Sequence, residues 1–465
     1  MESAGTVPHM DDELRQAATA VLRGNDRIGW TRPSPRLYPH QWSWDAAFVA
    51  IGLGHVDPVR AVTELTTLFR AQWRNGMVPH IVFDPTMVPG AYFPGPDRWA
   101  SDVSADAPAG IATSGLCQPP VHAIALERVW ANALARDDGS ADHIRPAVVA
   151  LWPKLAAWHR YLRTARDPEG SGLVSIWHPW ESGLDNSPRW DPAMARIIPG
   201  DLTPYRRHDL IHVSDKRERP TDAEYDRYLW LVQVLHSHAY DDAPIAEHHP
   251  FRVKDVFFSA LLAAADDALA ALAPVAGVDI DVIVGLARDA DRTRGAIDDR
   301  FDPDTGLAHD LDLVTGEALP ARTIAGFAPL VAGGLFARLT EMQATLDGPG
   351  FCGAEGMRWP LPPSTAVDDP AFDPRSYWRG PVWPVITWVL WWSLLRAGAD
   401  RAAGRLRDQS LEQLRVAGFA EYVDPGTGEG LGSDAQSWTA AVALDWLADR
   451  DGRPVRGWVG SRSSR

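Results

Sequence analysis

The chain has 465 residues, 45% of them hydrophobic, which allows one large domain or two to three average ones around a substantial core. Its net charge of −16, with no long basic run, excludes a phosphate-backbone partner such as nucleic acid. Two cysteines, Cys117 and Cys352, exclude a disulfide framework and a zinc cage, and the N-terminal MESAGTVPHMDDELRQ lacks the basic and apolar regions of a signal peptide, so a cytoplasmic protein is expected.

Helical patterns dominate in chain order. A first helix is expected over 11–23. Asp57 then offers an N-cap with Pro58 at the first helical position, and Ala61, Val62, Leu65, Leu68, Phe69 and Trp73 recur at helical spacing up to Gly76. Pro119 and Pro120 open a helix with Val121, Ile124, Ala125 and Val129 on one face. The next runs from 146 to 163 with Leu151, Leu155, Trp158 and Leu162. Further helical stretches cover 222–237, 252–273, 279–299, 324–346, 379–397, 405–416 and 436–448, giving about eleven helices. The apolar run Pro381–Leu395 is too short for a membrane span of roughly 20 residues and reads as a buried helix. Convincing β alternation is scarce.

Long loops over 28–45, 76–118, 167–221, 347–378 and 417–435 separate these helices, and long loops in a compact domain usually carry function. Three turns echo one another: Asp302-Pro303-Asp304-Thr305-Gly306, Asp424-Pro425-Gly426-Thr427-Gly428 and the shorter Asp167-Pro168-Glu169-Gly170. They suggest stacked helix pairs without defining a repeat. No linker divides the chain. The expected architecture is all-α, one helical toroid over 28–450 with its loops gathered over one mouth. An N-terminal tail and first helix cover 1–27, and a flexible tail covers 451–465. Two helical domains are the alternative.

The chemistry is concentrated in four loops where aromatic residues alternate with acids and amides. They are Tyr38–Asp45, Trp177–Asp191, Tyr377–Trp383, and Phe419–Tyr422 continuing to Gln436–Trp438. Trp is the compositional outlier, at 21 residues against 13 Phe and 9 Tyr. Because indole is costly to bury whole, the surplus points to half-buried rings lining a cavity. Flat apolar faces beside carboxylates suit a sugar. Glycoside hydrolysis needs two carboxyls across the scissile bond, one of them kept protonated by apolar surroundings. Asp185 lies amid Trp177, Trp180 and Trp190 and fits the protonated role, with Glu181 as its rival. Glu421 and Glu429 compete for the second role, and spacing alone does not choose. His236, His238, His248 and His249 lack ligand spacing, so no metal is expected. No phosphate cradle or nucleophile elbow is present, and no cofactor is expected.

The same loops resemble glycoside hydrolase family 63, and within it the bacterial glucosylglycerate and mannosylglycerate hydrolases. The matching segments are YPHQWSWDAAFVAIGLG from Tyr38, AQWRNGMVPHIVF from Ala71, YFPGPDRWA from Tyr92, CQPPVHAIA from Cys117, WESGLDNSPRWD from Trp180, RPTDAEYDRYLWL from Arg219, YWRGPVWPV from Tyr377 and FAEYVDPGTGEGLGS from Phe419. The resemblance implies an (α/α)6 barrel and hydrolysis of an α-glycosidic bond with inversion, with Asp185 as general acid and Glu421 as general base. It implies that Trp42, Trp44, Asp45, Trp180, Trp378, Trp383 and Gln436 line the sugar subsite. Tyr38, Tyr92, Gln118, Arg219 and Tyr225 would receive a glycerate carboxylate. From its polar surroundings alone, Arg219 reads as a solvated surface residue. The expected activity is cleavage of glucosylglycerate to glucose and glycerate, with mannosylglycerate or another small α-glucoside as the alternative substrate. The partner is then a small anionic sugar, not nucleic acid or membrane; a homo-oligomer is compatible with the sequence. A carbohydrate-binding protein without catalysis would share the toroid and the loops, and a lyase or epimerase would call for a Tyr/His pair; the two carboxyls favour the hydrolase.

Overall fold

Among the described residues, twelve of sixteen α-helices alternate along the chain between an outer and an inner position, while Asp222–Ser237 and three shorter ones lie in the connecting loops. The outer ones are α1 (Thr6–Asn25), α3 (Pro58–Leu68), α5 (Ser140–Thr164), α7 (Ile280–Asp298), α9 (Leu339–Leu346) and α11 (Asp400–Ala417). The inner ones are α2 (Ser43–Val56), α4 (His122–Arg136), α6 (Val256–Ala276), α8 (Ala328–Ala332), α10 (Pro384–Arg396) and α12 (Ser437–Arg450). Each inner helix packs against the next, and α12 returns to α2, so the ring closes. This computed structural model describes residues 6–453 apart from 89, 212, 214 and 335–337. The expected tail over 451–465 therefore lies, from 454 on, outside the described residues.

The two sets differ because their surroundings differ. An outer helix buries one stripe: in α3, Ala61, Val62, Leu65 and Leu68 are buried while Val59 is exposed. An inner helix is enclosed on all sides, so every residue from Ser43 to Gly54 in α2 and from Pro384 to Leu395 in α10 is buried. The apolar run read as a buried helix is thus an inner wall of the ring. The α6 helix is long and apolar enough to cross a membrane, yet most of it is buried inside the ring. At Gly52 the backbone of α2 lies so close to Ala441 of α12 that a Cβ would strike it.

Several expected boundaries move. The α2 helix was not expected, because a helix buried all round carries no 3.6-residue stripe. The stretch 324–346 is not one helix: Gly333 and Gly334, both at positive φ, end α8 before α9 begins. The α5 helix starts at Ser140, ahead of Pro146. Two of the echoing turns prove to be hairpin turns, joining Phe301–Asp302 to Leu307–Ala308 and Tyr422–Val423 to Gly430–Leu431. The longest sheet has four short antiparallel strands, in the order Ala318–Leu319, Asp310–Asp312, Val253–Lys254 and Ser175–Ile176, and the last of these leads into the Trp177–Asp191 loop.

Candidate active site

Four inner helices, α2, α4, α10 and α12, present their N-terminal ends to one mouth. Trp42 ends a strand paired with Ile81–Val82, and Trp44 and Asp45 follow in the first turn of α2. Gln118 precedes α4, Tyr377 precedes α10 and Gln436 caps α12. Helix N-termini carry partial positive charge and free N–H groups, which favours carboxylates there. These residues, together with Tyr38, Tyr92, Trp180, Asp185, Arg219, Tyr225 and Glu421, line one cavity of about 120 Å³.

The Asp185 loop is pinned on both sides by buried ion pairs. On one side, Arg166 donates to both oxygens of Glu181 at 2.8 Å, and the Trp177 amide donates to Glu181 at 2.7 Å. Burial alone would raise Glu181, but the Arg166 guanidinium and the Trp177 and Cys117 amides hold it below the ordinary value. It is a structural anion, out of the cavity. On the other side, Arg189 joins Asp255 and Asp310, and Asp255 caps α6 by accepting from the Phe257 and Phe258 amides. Between the pins, Gly183 at φ +72° sits against Trp44; a Cβ there would lie 2.5 Å from the indole. Asp185 follows, half-buried, and lines the cavity. Burial pushes it up to about 7, and the charge of Glu421 adds to the effect.

Glu421 is differently held. It is 1% exposed and takes the Tyr38 hydroxyl at 2.7 Å, the Ser433 amide at 3.1 Å and the Arg219 guanidinium at 3.3 Å. Burial raises it above the ordinary value; Arg219 and the hydrogen bonds from Tyr38 and Ser433 oppose that rise without cancelling it. Arg219 also donates to Tyr38 at 2.9 Å and lies over the Tyr377 ring at 4.6 Å, and its Nε has no partner among the described residues. At 6% exposure it is a buried residue of the site, not a solvated surface charge. Asp45 completes a trio of carboxyls; burial, then Glu421 and Asp185, push it well above the ordinary range. Glu429 is exposed and paired with Arg375, outside the cavity.

Two expected lining residues stand behind the wall. Trp378 and Trp383 stack face to face at 3.5 Å, both 1% exposed, and support Trp44 and Trp438 from the rear. The cause is the turn at Tyr377, which adopts φ +42°. It turns Tyr377 inward, with its hydroxyl 3.1 Å from that of Tyr38, and leaves Trp378 in the core. Tyr377, Trp438, Tyr228, Phe93 and His80 line the cavity and were not expected to. Tyr377 and Trp438 did lie in the aromatic loops, but composition does not say which ring of a neighbouring pair points inward. Among the described residues no group of three or more metal-ligating side chains occurs.

A closed ring of paired helices, with carboxyls of contrasting environment in an aromatic cavity at its mouth, is the layout of an (α/α)6 glycoside hydrolase. The family described as the mannosylglycerate hydrolase MGH1-like glycoside hydrolase domain matches residues 38–439, and this chain belongs to it. It is 46% identical over 437 residues to the glucosylglycerate hydrolase of Mycolicibacterium hassiacum, covering 94% of this chain and 98% of that one. It is 42% identical over 450 residues to the mannosylglycerate hydrolase of Rubrobacter radiotolerans, covering 96% and 98%. The fold is similar to that of the glycoside hydrolase family 63 mannosylglycerate hydrolase of Thermus thermophilus in complex with Tris and D-glycerate. The TM-score is 0.84 at 40% identity, over 93% of this chain and 99% of that one.

Proposed function

We propose that this chain hydrolyses glucosylglycerate to glucose and glycerate with inversion, and that Asp185 is the general acid and Glu421 the general base. The observation that carries this reading is the contrast between two carboxyls of one cavity. Asp185 has its proton favoured up to about 7, whereas Glu421 has three donors that favour its anion. Burial raises both, but only Glu421 has donors that oppose the rise, and such a difference in environment divides acid from base work.

In the proposed step the bond between the anomeric carbon and the glycosidic oxygen breaks, and its electrons go to that oxygen as Asp185 delivers a proton. A water attacks the anomeric carbon from the opposite face, and Glu421 takes the proton that the water loses. Tyr38 and Arg219 aim the Glu421 carboxylate. Asp45, pushed well above the ordinary range by burial, favours the protonated form that can donate to a sugar hydroxyl. The Gln436 amide, buried with neither end partnered, has both a donor and an acceptor for hydroxyls.

The glycerate end would meet Tyr38, Tyr92, Gln118, Tyr225 and Arg219. The unpartnered Nε of Arg219 supports an anionic ligand, because a buried guanidinium donor without a partner costs free energy that a carboxylate recovers. The relatives named as mannosylglycerate hydrolases support the epimeric substrate as the second reading. Incubating the protein with each glycosylglycerate and following products by NMR tests both. Glucose released first as the β-anomer is the expected result. No turnover of either substrate, or release as the α-anomer, overturns it.

A further inference from the structure

Asp185 and Glu421 are oriented by different means. Glu421 is held through its carboxyl, but among the described residues no other residue donates to the Asp185 carboxyl. Its direction into the cavity therefore depends on its backbone. That backbone is held with uncommon density: three consecutive carbonyls each accept from a side chain elsewhere in the chain. Leu184 takes the Trp190 indole N–H at 3.0 Å, Asp185 takes the Tyr228 hydroxyl at 3.2 Å, and Asn186 takes the Arg379 guanidinium at 3.3 Å. Asn186, 3% exposed, returns the link by accepting the Trp378 amide on its side-chain oxygen at 2.8 Å. Arg379 is itself fixed by a two-point ion pair with Asp191, at 2.9 and 2.7 Å.

The contacts of Asn186 reach the turn at 376–380, and the other face of that turn meets the base network. Tyr377 of that turn touches the hydroxyl of Tyr38, which donates to Glu421. One short turn, strained at Tyr377, thus connects the acid loop to the base network. From this geometry we infer that Asn186 and Arg379 are positioning residues. They tie the Asp185 backbone to the 376–380 turn and so fix the acid over the glycosidic oxygen and its distance from the base. The inference rests on the reading of Asp185 as the proton donor.

A leaving group that needs no proton separates this role from a merely structural one. Fluoride leaves an α-glycosyl fluoride as a stable anion, so its hydrolysis still needs the base and its water but not the acid. In Asn186→Ala, kcat/KM for the glycosylglycerate is expected to fall at least about tenfold, while kcat/KM for the α-fluoride of the same sugar changes less than about threefold; misplacement by an ångström suffices for such a loss. Arg379→Met, which keeps the bulk of the half-buried stem, is expected to show the same selectivity, and Arg379→Lys to recover part of the loss. Equal loss on both substrates, or no loss on either, in folded Asn186→Ala or Arg379→Met overturns the inference. Asp185→Asn is the control: if it shows no preference for the fluoride, the assignment of the acid fails. If it does and the positioning variants do not, only the inference fails.

Discussion

At the scale of single residues, the site separates carboxyls that look alike in sequence. Glu181 and Asp185 stand four positions apart in one aromatic loop, and composition gave no choice between them. Their fates differ because Glu181 meets Arg166 and the Trp177 amide, whereas the Asp185 carboxyl meets no donor from another residue among those described. Asp185→Ala and Glu421→Ala are each expected to lower kcat/KM by roughly 10²–10⁴-fold, measured by glucose release. Because Asp185 sits at about 7, kcat/KM for the glycosylglycerate should decline as pH rises through that value and the donor proton is lost. The same residue costs stability. The folded protein retains its proton at pH values where an unfolded Asp, with an ordinary value of 3.8, has lost it, so stability falls as pH rises from 3.8 to about 7. Asp185→Asn should therefore have a higher thermal midpoint than the parent above pH 7, and the two should converge below 3.8. Arg219→Ala is expected to raise KM for glycosylglycerates more than for a neutral α-glucoside, and to lower kcat on both, since Arg219 also holds Glu421. An unchanged kcat would separate Arg219 from the base.

At the scale of elements, an outer helix was legible by its apolar stripe and an inner one such as α10 by a continuous apolar run. Outer helices such as α3 were visible, with cap and stripe, because water on one side forces a polar face. The inner α2 was invisible for the opposite reason, and it carries Trp44 and Asp45 at its start. The Trp177–Asp191 loop owes its path to contacts remote in sequence, and one of them offers a test. Gly183 occupies positive φ with the Trp44 indole against it, so Gly183→Ala meets both backbone strain and a collision. A loss of about 1–3 kcal/mol in unfolding free energy is expected, together with a fall in turnover as Trp44 shifts. Unchanged thermal and kinetic values would mean that the loop is not packed as described.

At the scale of the whole molecule, the ring is drawn together far from the mouth as well. Asp445 of α12 accepts from Arg128 of α4 at 2.5 Å, His55 of α2 at 2.7 Å and Trp388 of α10 at 2.8 Å, linking four inner helices through one carboxylate. Burial opposes its charge, but Arg128 and His55 prevail and hold it down to about 2. The stability it contributes is thus present above the ordinary 3.8 and lost as pH falls through about 2. Asp445→Ala should reduce unfolding free energy by about 3–5 kcal/mol, read from chemical denaturation, because the other members of the cluster remain buried without their shared acceptor.

The sequence by itself determined the all-α toroid, the outer helices, the family, and which loops feed the site, since these depend on local pattern and on motifs kept together along the chain. Only the tertiary structure decided which aromatic faces the cavity, which acid is pinned as a structural anion, and where Arg219 lies. Trp378 and Tyr377 are chain neighbours of similar chemistry, and a single residue at φ +42° sends one into the core and the other to Tyr38. Glu421 and Arg219 are 202 positions apart, and only the closed ring makes them neighbours. Side-chain direction and ionisation are set by whatever surrounds a group in space, and neither composition nor spacing encodes that.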